Sequence, residues 1–446
     1  MFFSMNLECT YTLNGQNDTS GAGQHLPLDS SDSADEEDAE IDELDAKMDR
    51  LSSSDDENPP VQHGALANDG LPAAGELKAD HLSHIDSLRF TQQLIQEISS
   101  ATLENDKLDP DMFERLQNPI NKAIDISDSD TCLSLDIFMA CNHTSEATYK
   151  AVRDSILHRS PNLNILSYYS VKKLVLEITG VGSILDDMCI NSCIAFVGPL
   201  ADLKQCPECL ELRYDPKKKA ITGKEVPRLQ ACTIPLSPQL QALQRPPQGA
   251  ATLSYFDEKT IKVSEDCRAG TPLADRIYDD VFSSNDIQKL VEDLGLTADD
   301  FLVSFSLDGA QLYQNKKSDT WIGIWTIYNY NPATQYTNKH VTPSNVVPSP
   351  NKPKTLDSFL YCTFYHLSAL QRENNGNGMA VWDALQEKKI YSRVVFLFGT
   401  ADAVGLTELD GGVGHHGAQG CWCWKTRLKG PLSDRAPRGL QVGEWD

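Results

Sequence analysis

Phe301-Leu-Val-Ser-Phe-Ser-Leu-Asp308-Gly309 is the stretch on which the fold of this chain turns. Phe301, Val303, Phe305 and Leu307 alternate with Leu302, Ser304, Ser306 and Asp308, the two-residue period of a strand with one strongly apolar face. The carboxylate falls at the end of the more polar face, and Gly309 predicts that the strand stops there. Downstream, Trp321-Ile-Gly-Ile-Trp-Thr-Ile-Tyr328 is β-branched and aromatic and predicts a second strand, with a shorter third between His340 and Val347. After Pro353, Thr355 is placed to cap a helix that carries Leu356, Phe359, Leu360, Phe364, Leu367 and Leu370 on one stripe. Val394-Val-Phe-Leu-Phe398 is an apolar run that reads as a central strand, buried on both faces. It too leads to an acid, through Gly399-Thr-Ala-Asp402.

Strand, strand, strand, helix, strand, with one Asp ending the first strand and another just past the last, is the element order of an RNase H-like nuclease core. The predicted fold class is therefore α/β of the mixed α+β kind, a mixed sheet with flanking helices. The chemistry explains the arrangement. Two hard divalent cations about 4 Å apart are held by carboxylates from neighbouring strands, one activating the attacking oxygen and the other stabilising the leaving one. Adjacent strands can bring Asp308 and Asp402 together although 94 positions separate them. An Asp in such a place also commonly forms a turn or caps a helix, and that role stays open for both.

A second pattern lies upstream. Cys189-Ile-Asn-Ser-Cys193 and Cys206-Pro-Glu-Cys209 form C-x3-C-x12-C-x2-C. Four thiolates in two close pairs suit tetrahedral Zn²⁺, because each pair can curl around one edge of the metal while the connector returns the chain. Cys189 and Cys193 could instead pack as small hydrophobes on one helical face beside Ile190 and Ile194. Cys206 and Cys209, followed by charged sequence, have no such apolar face to join.

Helical spacing of Ile85, Leu88, Leu94, Ile95 and Ile98 predicts an amphipathic helix up to Ser100. Ser145 can cap a second that stops at Pro161, and Tyr168, Val171, Leu174, Val175 and Ile178 mark a third that ends at Gly180. The latter two make a helical hairpin whose Lys150, Arg153, His158, Arg159, Lys172 and Lys173 form a basic outer surface. That surface could lie on nucleic-acid phosphates or be a merely solvated face. Between Arg213 and Asn285 the chain is Pro-containing and weakly periodic, and no element is assigned.

The chain has 446 residues with 64 Asp+Glu against 39 Lys+Arg, a net charge of −25. Residues 1–80 hold nineteen acids and three bases, so the remainder carries only −9. That stretch, centred on Asp35-Glu36-Glu37-Asp38, reads as a disordered acidic tail, because it offers too little apolar surface to offset the entropy of ordering it. No window supplies the roughly 20 apolar residues of a membrane span, and no basic-then-apolar leader opens the chain, so neither membrane insertion nor secretion is expected. In a reducing compartment the twelve cysteines read as thiols or metal ligands before disulfides. The expected division is an acidic tail (1–80), a helical region (81–184), a four-cysteine zinc-type module (185–216), a connector (217–299), a partial catalytic core (300–421) and a divergent tail (422–446).

Taken in order, several blocks resemble the transposases of CACTA-type (En/Spm) DNA transposons, a DDE family with an RNase H-like core. They are Asp187-Met-Cys-Ile-Asn-Ser-Cys-Ile-Ala-Phe196, Cys206-Pro-Glu-Cys209 with Arg213-Tyr-Asp215, Ile234-Pro-Leu236 with Gln239-Leu-Gln-Ala-Leu243, and Ser306-Leu-Asp-Gly-Ala-Gln-Leu-Tyr313. Asn351-Lys-Pro-Lys-Thr-Leu-Asp-Ser-Phe-Leu360, Gly399-Thr-Ala-Asp402 and Gly414-His-His-Gly417 continue the series, which spans about Leu133 to Cys421. The resemblance implies that Asp308 and Asp402 are the first two catalytic acids, binding Mg²⁺ or Mn²⁺ for strand cleavage and transfer at transposon ends. It also implies zinc at the cysteine quartet, DNA partners in terminal repeats and target, self-association into a homo-oligomer, and a nuclear location.

The departures are specific. The family's third acid is a Glu on a helix well beyond the second Asp, and Glu408 and Asp410 follow too closely, while Glu444 lies in unlike sequence. Cys421-Trp-Cys423 has one residue between its cysteines where the family's pair has two or three, and the sequence from Trp422 onward resembles nothing in it. His415, His416, Cys421 and Cys423 are a weaker candidate for a second metal cluster. The expectation is a truncated transposase, inactive by itself. The alternatives are a non-catalytic zinc-containing DNA- or protein-binding remnant and a stand-alone nuclease without end specificity.

Overall fold

Capping side chains set the helices of the first half. The computed structural model describes residues 86–402, with gaps at 122–125, 143, 270–278, 312–318 and 349–350, together with Gly405 and Leu409. The acidic stretch 1–80, Tyr313, Glu408, Asp410, the His415, His416, Cys421 and Cys423 group, Glu444 and the tail 422–446 lie outside the described residues. Helix α1 (Asp86–Ser99) is followed by α2 (Pro110–Gln117), where Asp109 accepts from Met112 N and Pro110 occupies the first turn. Next come α3 (Ser129–Ala140), α4 (Glu146–Arg159) and α5 (Tyr168–Thr179), capped by Asp128, Ser145 and Ser167 respectively. Gly180, at φ 75°, ends α5 in the left-handed conformation.

The predicted hairpin is in fact a three-helix unit. Tyr149 of α4 is fully buried, packs edge-on against Phe138 and Tyr168, and donates its hydroxyl to Leu166 O at 3.0 Å. Two of the basic residues assigned to its outer surface are engaged within the unit: Arg153 donates Nε–H to Ile165 O at 3.0 Å, and Lys172 Nζ sits 5.4 Å from the Tyr168 ring centroid.

Four-residue β1 (Ile184–Asp187) and β2 (Gln230–Thr233), with β3 (Phe301–Gln311), β4 (Asp319–Ile327) and β5 (Thr342–Val347), precede the separate hairpin of β6 (Met379–Asp383) and β7 (Lys388–Ser392). The last strand is β8 (Val394–Thr400). The six-stranded sheet runs β1-β2-β5-β4-β3-β8, antiparallel at each step except β3–β8, which is parallel. Mixed α+β architecture with a mixed sheet is thus what the chain adopts.

Between and around the strands lie α6 (Pro216–Thr222), α7 (Leu236–Gln244), α8 (Pro247–Thr252), α9 (Tyr255–Arg268), α10 (Asn285–Leu294), α11 (Pro332–Gln335) and α12 (Leu356–Gly376). The two faces of β3 meet different layers. Phe301, Val303, Phe305 and Leu307 share a core with Leu94 of α1 and with Leu356, Phe359, Leu360, Leu367 and Leu370 of α12, whereas Leu302 packs with Phe256, Phe282 and Leu296. At the centre the Phe305 ring lies 5.2 Å from both Trp325 and Phe364, across Gly323 of β4. A Cβ at Gly323 would come within 2.8 Å of that ring, so this strand position has room only for glycine.

Several expectations need correction. Thr355 makes no side-chain cap bond. A cap contributes about 1 kcal/mol, whereas each fully buried Leu or Phe contributes roughly 1.5–3 kcal/mol, so α12 is held by its buried stripe instead. β3 does not stop at Gly309; Gly309, Ala310 and Gln311 stay paired with Trp321, Thr320 and Asp319. β8 is not central: among the described residues it is an edge strand, and only Val394 is fully buried. The span taken as a connector supplies β2, which joins the core sheet, and α6 to α10.

Candidate functional site

The cysteine quartet is assembled by two tight hairpins. Met188 bridges Ala195 in the first, and Gln205 bridges Leu212 in the second. Ser192 (φ 57°), just before Cys193, and Leu210 (φ 62°), just after Cys209, turn in the left-handed region. That conformation is costly for residues with a Cβ and is retained where surroundings over-determine it. The four Sγ atoms lie within 4.8 Å of one another, and Cys189, Cys193 and Cys206 are buried. The Cys189–Cys209 sulfur separation of 3.3 Å is too long for a disulfide. A tetrahedron with Zn–S bonds of about 2.3 Å has edges of about 3.8 Å, so the spacing suits a metal ion such as zinc. Helical packing of Cys189 with Cys193 is not what forms here.

The electrostatics agree with that donor set. Burial, with Cys189 beside it, pushes the Cys193 thiol far up, and burial pushes Cys206 up to about 12. Cys209 differs: burial opposes its ionisation, but the N–H of Glu211 and donors from Cys189 and Asn191 hold it below the usual thiol value. Four thiolates so close repel unless a cation lies among them, which is the condition a dication satisfies.

The quartet is bound into the sheet. Asp187, at the end of β1, accepts from Arg213 Nε at 2.7 Å and from Gln230 Nε2 at 3.1 Å. The Arg213 guanidinium sits 5.0 Å from the Phe196 ring centroid and donates to Ala201 O as well. Thr355 N donates to Cys193 O, and Ala195 N donates to Ser358 Oγ, both at 3.0 Å, so the module also leans on the start of α12.

Topology brings the two predicted acids to neighbouring segments. Ser306 of β3 is paired with Thr400, the last residue of β8. Asp308 stands two residues further along β3 and Asp402 two residues past the end of β8, both exposed. Asp402 Oδ1 accepts from Gly405 N at 2.6 Å, the bond of a helix cap. A Cβ at Gly405 would be 3.2 Å from that same oxygen and 3.2 Å from Leu307 O, which places the Asp402 carboxylate beside the Leu307–Asp308 backbone. Two carboxylates on neighbouring strands offer hard oxygen donors of the kind Mg²⁺ takes from protein, leaving its other positions to water and phosphate. No third acid joins them among the described residues.

A third constellation was not legible beforehand. Ser237 Oγ lies 2.9 Å from His366 Nε2, and His366 Nδ1 lies 2.6 Å from Asp106 Oδ2. Ser237 N also donates to Nε2 at 3.2 Å, so Nε2 is the acceptor and the ring proton sits on Nδ1, facing the carboxylate. This is the order of a nucleophilic triad, yet Ser237 is wholly buried and His366 is 2% exposed. It acts as a lock joining α7, α12 and the loop before α2. Beside it Lys107 pairs with Asp186, which also accepts from Cys362 Sγ at 3.0 Å. No local spacing announces such a network, since its members come from four separate segments: the loop before α2, β1, α7 and α12.

No protein family matches the chain, and no curated protein matches it.

Proposed function

We propose that the chain is the core of a DDE transposase of the CACTA kind with an RNase H-like sheet, acting on DNA in the nucleus. One observation carries the reading: β3 lies between antiparallel β4 and parallel β8, in a sheet that runs β5-β4-β3-β8, so that Asp308 is on β3 and Asp402 follows two residues past the end of its neighbour β8. In this reading Asp308 and Asp402 hold divalent Mg²⁺ or Mn²⁺, which supplies activation of the attacking oxygen and charge stabilisation at the leaving one. The chain's own part is to fix two carboxylates on one rigid sheet, with α12 and α1 beneath them, open to a phosphodiester. The cysteine quartet is a structural Zn²⁺ site with all four positions taken by protein.

Fe²⁺-directed backbone cleavage tests the assignment without needing turnover. Fe²⁺ with ascorbate and peroxide should cut the chain next to Asp308 and Asp402, and excess Mg²⁺ should suppress the cuts. Loss of the cuts in Asp308→Asn and Asp402→Asn supports the reading, and cuts that persist in both variants refute it.

A second reading, a zinc-containing DNA- or protein-binding remnant without catalysis, is favoured by the completeness of the quartet beside a pair of acids. It predicts duplex binding in a gel shift that survives Asp308→Asn and disappears with Cys206→Ser.

A further inference from the structure

We infer that a one-residue bulge in β8 is the device that sets Asp402 beside Asp308; the inference rests on the two-carboxylate reading above and adds the element that makes it geometrically workable. The β3–β8 ladder starts in simple parallel register, Phe301 with Val394, Leu302 with Val395 and Val303 with Phe396. It resumes at Phe305 with Gly399 and Ser306 with Thr400. Two residues of β3 therefore face three of β8, and Leu397 and Phe398 occupy the place of one.

The side chains show the same irregularity. Val394 and Phe396 belong to the core under α12, and Val395 and Leu397 to the opposite layer with Phe282 and Leu302. Phe398 should return to the α12 side. Instead its ring packs 5.8 Å from Tyr328, which lies in the same layer as Leu397. Two consecutive residues thus face one way, the signature of a bulge, a feature rare between parallel strands.

Its consequence lies at the strand end. Were the same sequence to run straight, without the bulge, the early register would pair Asp308 with Ala401, and Asp402 would fall opposite Gly309 on the other face of the sheet. With the bulge, the later register carried on by two residues sets Asp402 opposite Asp308 on one face. Whether β8 bulges by one residue thus decides whether two carboxylates 94 positions apart can share a ligand.

Cross-linking reads the register directly. Neighbouring strands lie about 4.8 Å apart, inside the Cα separation that a disulfide spans. The full chain carrying Asp308→Cys and Asp402→Cys should, on mild oxidation, give a peptide-mapped link between the two substituted positions. Deleting Leu397 in that chain removes the bulge yet leaves Phe305 with Gly399 and Ser306 with Thr400, so the link should form as in the parent. Adding one alanine between Thr400 and Ala401 to the deleted chain should move Asp402 one place on and lower the yield at least tenfold; a parent that does not link while the deleted chain does has a straight β8 and overturns the inference. The same alanine added with the bulge intact should abolish the link without touching the strand, which keeps the test decisive if the deletion does not fold. Linking at the parent rate in either out-of-register chain overturns the bulge inference. Mn²⁺ binding by the unsubstituted chain, followed by paramagnetic resonance, separates the two levels: linking that obeys register in a chain that binds no Mn²⁺ overturns the metal reading alone.

Discussion

The cysteine quartet and the carboxylate pair are built on opposite principles. The quartet draws four thiols from 21 consecutive residues, through two hairpins that bury three of them. The pair draws two carboxylates from β3 and the end of β8, which meet only when the sheet is complete, and leaves both exposed to water. A buried local site contributes to stability, because thiolates left without their cation repel and desolvated thiols resist ionisation. An exposed pair made by topology contributes little to stability.

The largest effect should come from the quartet. Cys206→Ser, or exhaustive chelation of the unsubstituted chain, should destabilise it by more than about 4 kcal/mol, the range reached when a structural metal or core is lost. Denaturant melts with added Zn²⁺ check this, and a chain indifferent to both would erase the contrast. Because Cys193 and Cys206 hold their protons above the usual range, protons should displace the ion as pH falls below neutral. Titration with a zinc-sensitive dye as pH is lowered measures that release.

The buried Ser237–His366–Asp106 lock asks whether a recognisable geometry is enough to make a site. His366→Ala leaves the buried Asp106 carboxylate and Ser237 without their partner, and because an unsatisfied buried group costs about 1–3 kcal/mol, more when charged, the variant should lose roughly 3 kcal/mol. Reaction of Ser237 with a serine-directed phosphonate should be absent before and after, and labelling of the native chain would reclassify the lock as a catalytic centre.

Smaller still, Asp402→Ala should cost about 1 kcal/mol, the worth of a helix cap. Asp308→Ala should lie within about 0.5 kcal/mol of the parent, as surface substitutions do. Both should nevertheless abolish Mn²⁺ binding. A large loss of stability at Asp308 would sharpen the comparison in the other direction, making the acid structural.

How much was readable follows the same division. Ser145, Gly180 and the alternation from Phe301 to Leu307 act within a few residues, so the helices and long strands that they specify are where the sequence placed them. The quartet was readable because both its hairpins are short. By contrast β1 (Ile-Leu-Asp-Asp) and β2 (Gln-Ala-Cys-Thr) are too brief and too polar to show a period; they are strands because β5 is there to pair with. The same holds for the bulge. Val394 to Phe398 is uniformly apolar, so nothing in it marks where one face ends and the other begins, and its half-covered position at the sheet edge depends on its neighbours. Asp106, Ser237 and His366 carry no common motif, and their meeting is a product of the packing of α7 against α12.

The position of β1 gives the cysteine quartet a second consequence. It is the edge strand opposite β8 in the six-stranded sheet, four residues long with Leu185 57% exposed, and Cys189 follows it after a single residue. An edge that loses its anchor offers unpaired backbone to other chains. Zinc starvation during expression should therefore show itself first as self-aggregation and poor yield, well before any assay on DNA is attempted. For a chain of this design, metal supply is a matter of solubility.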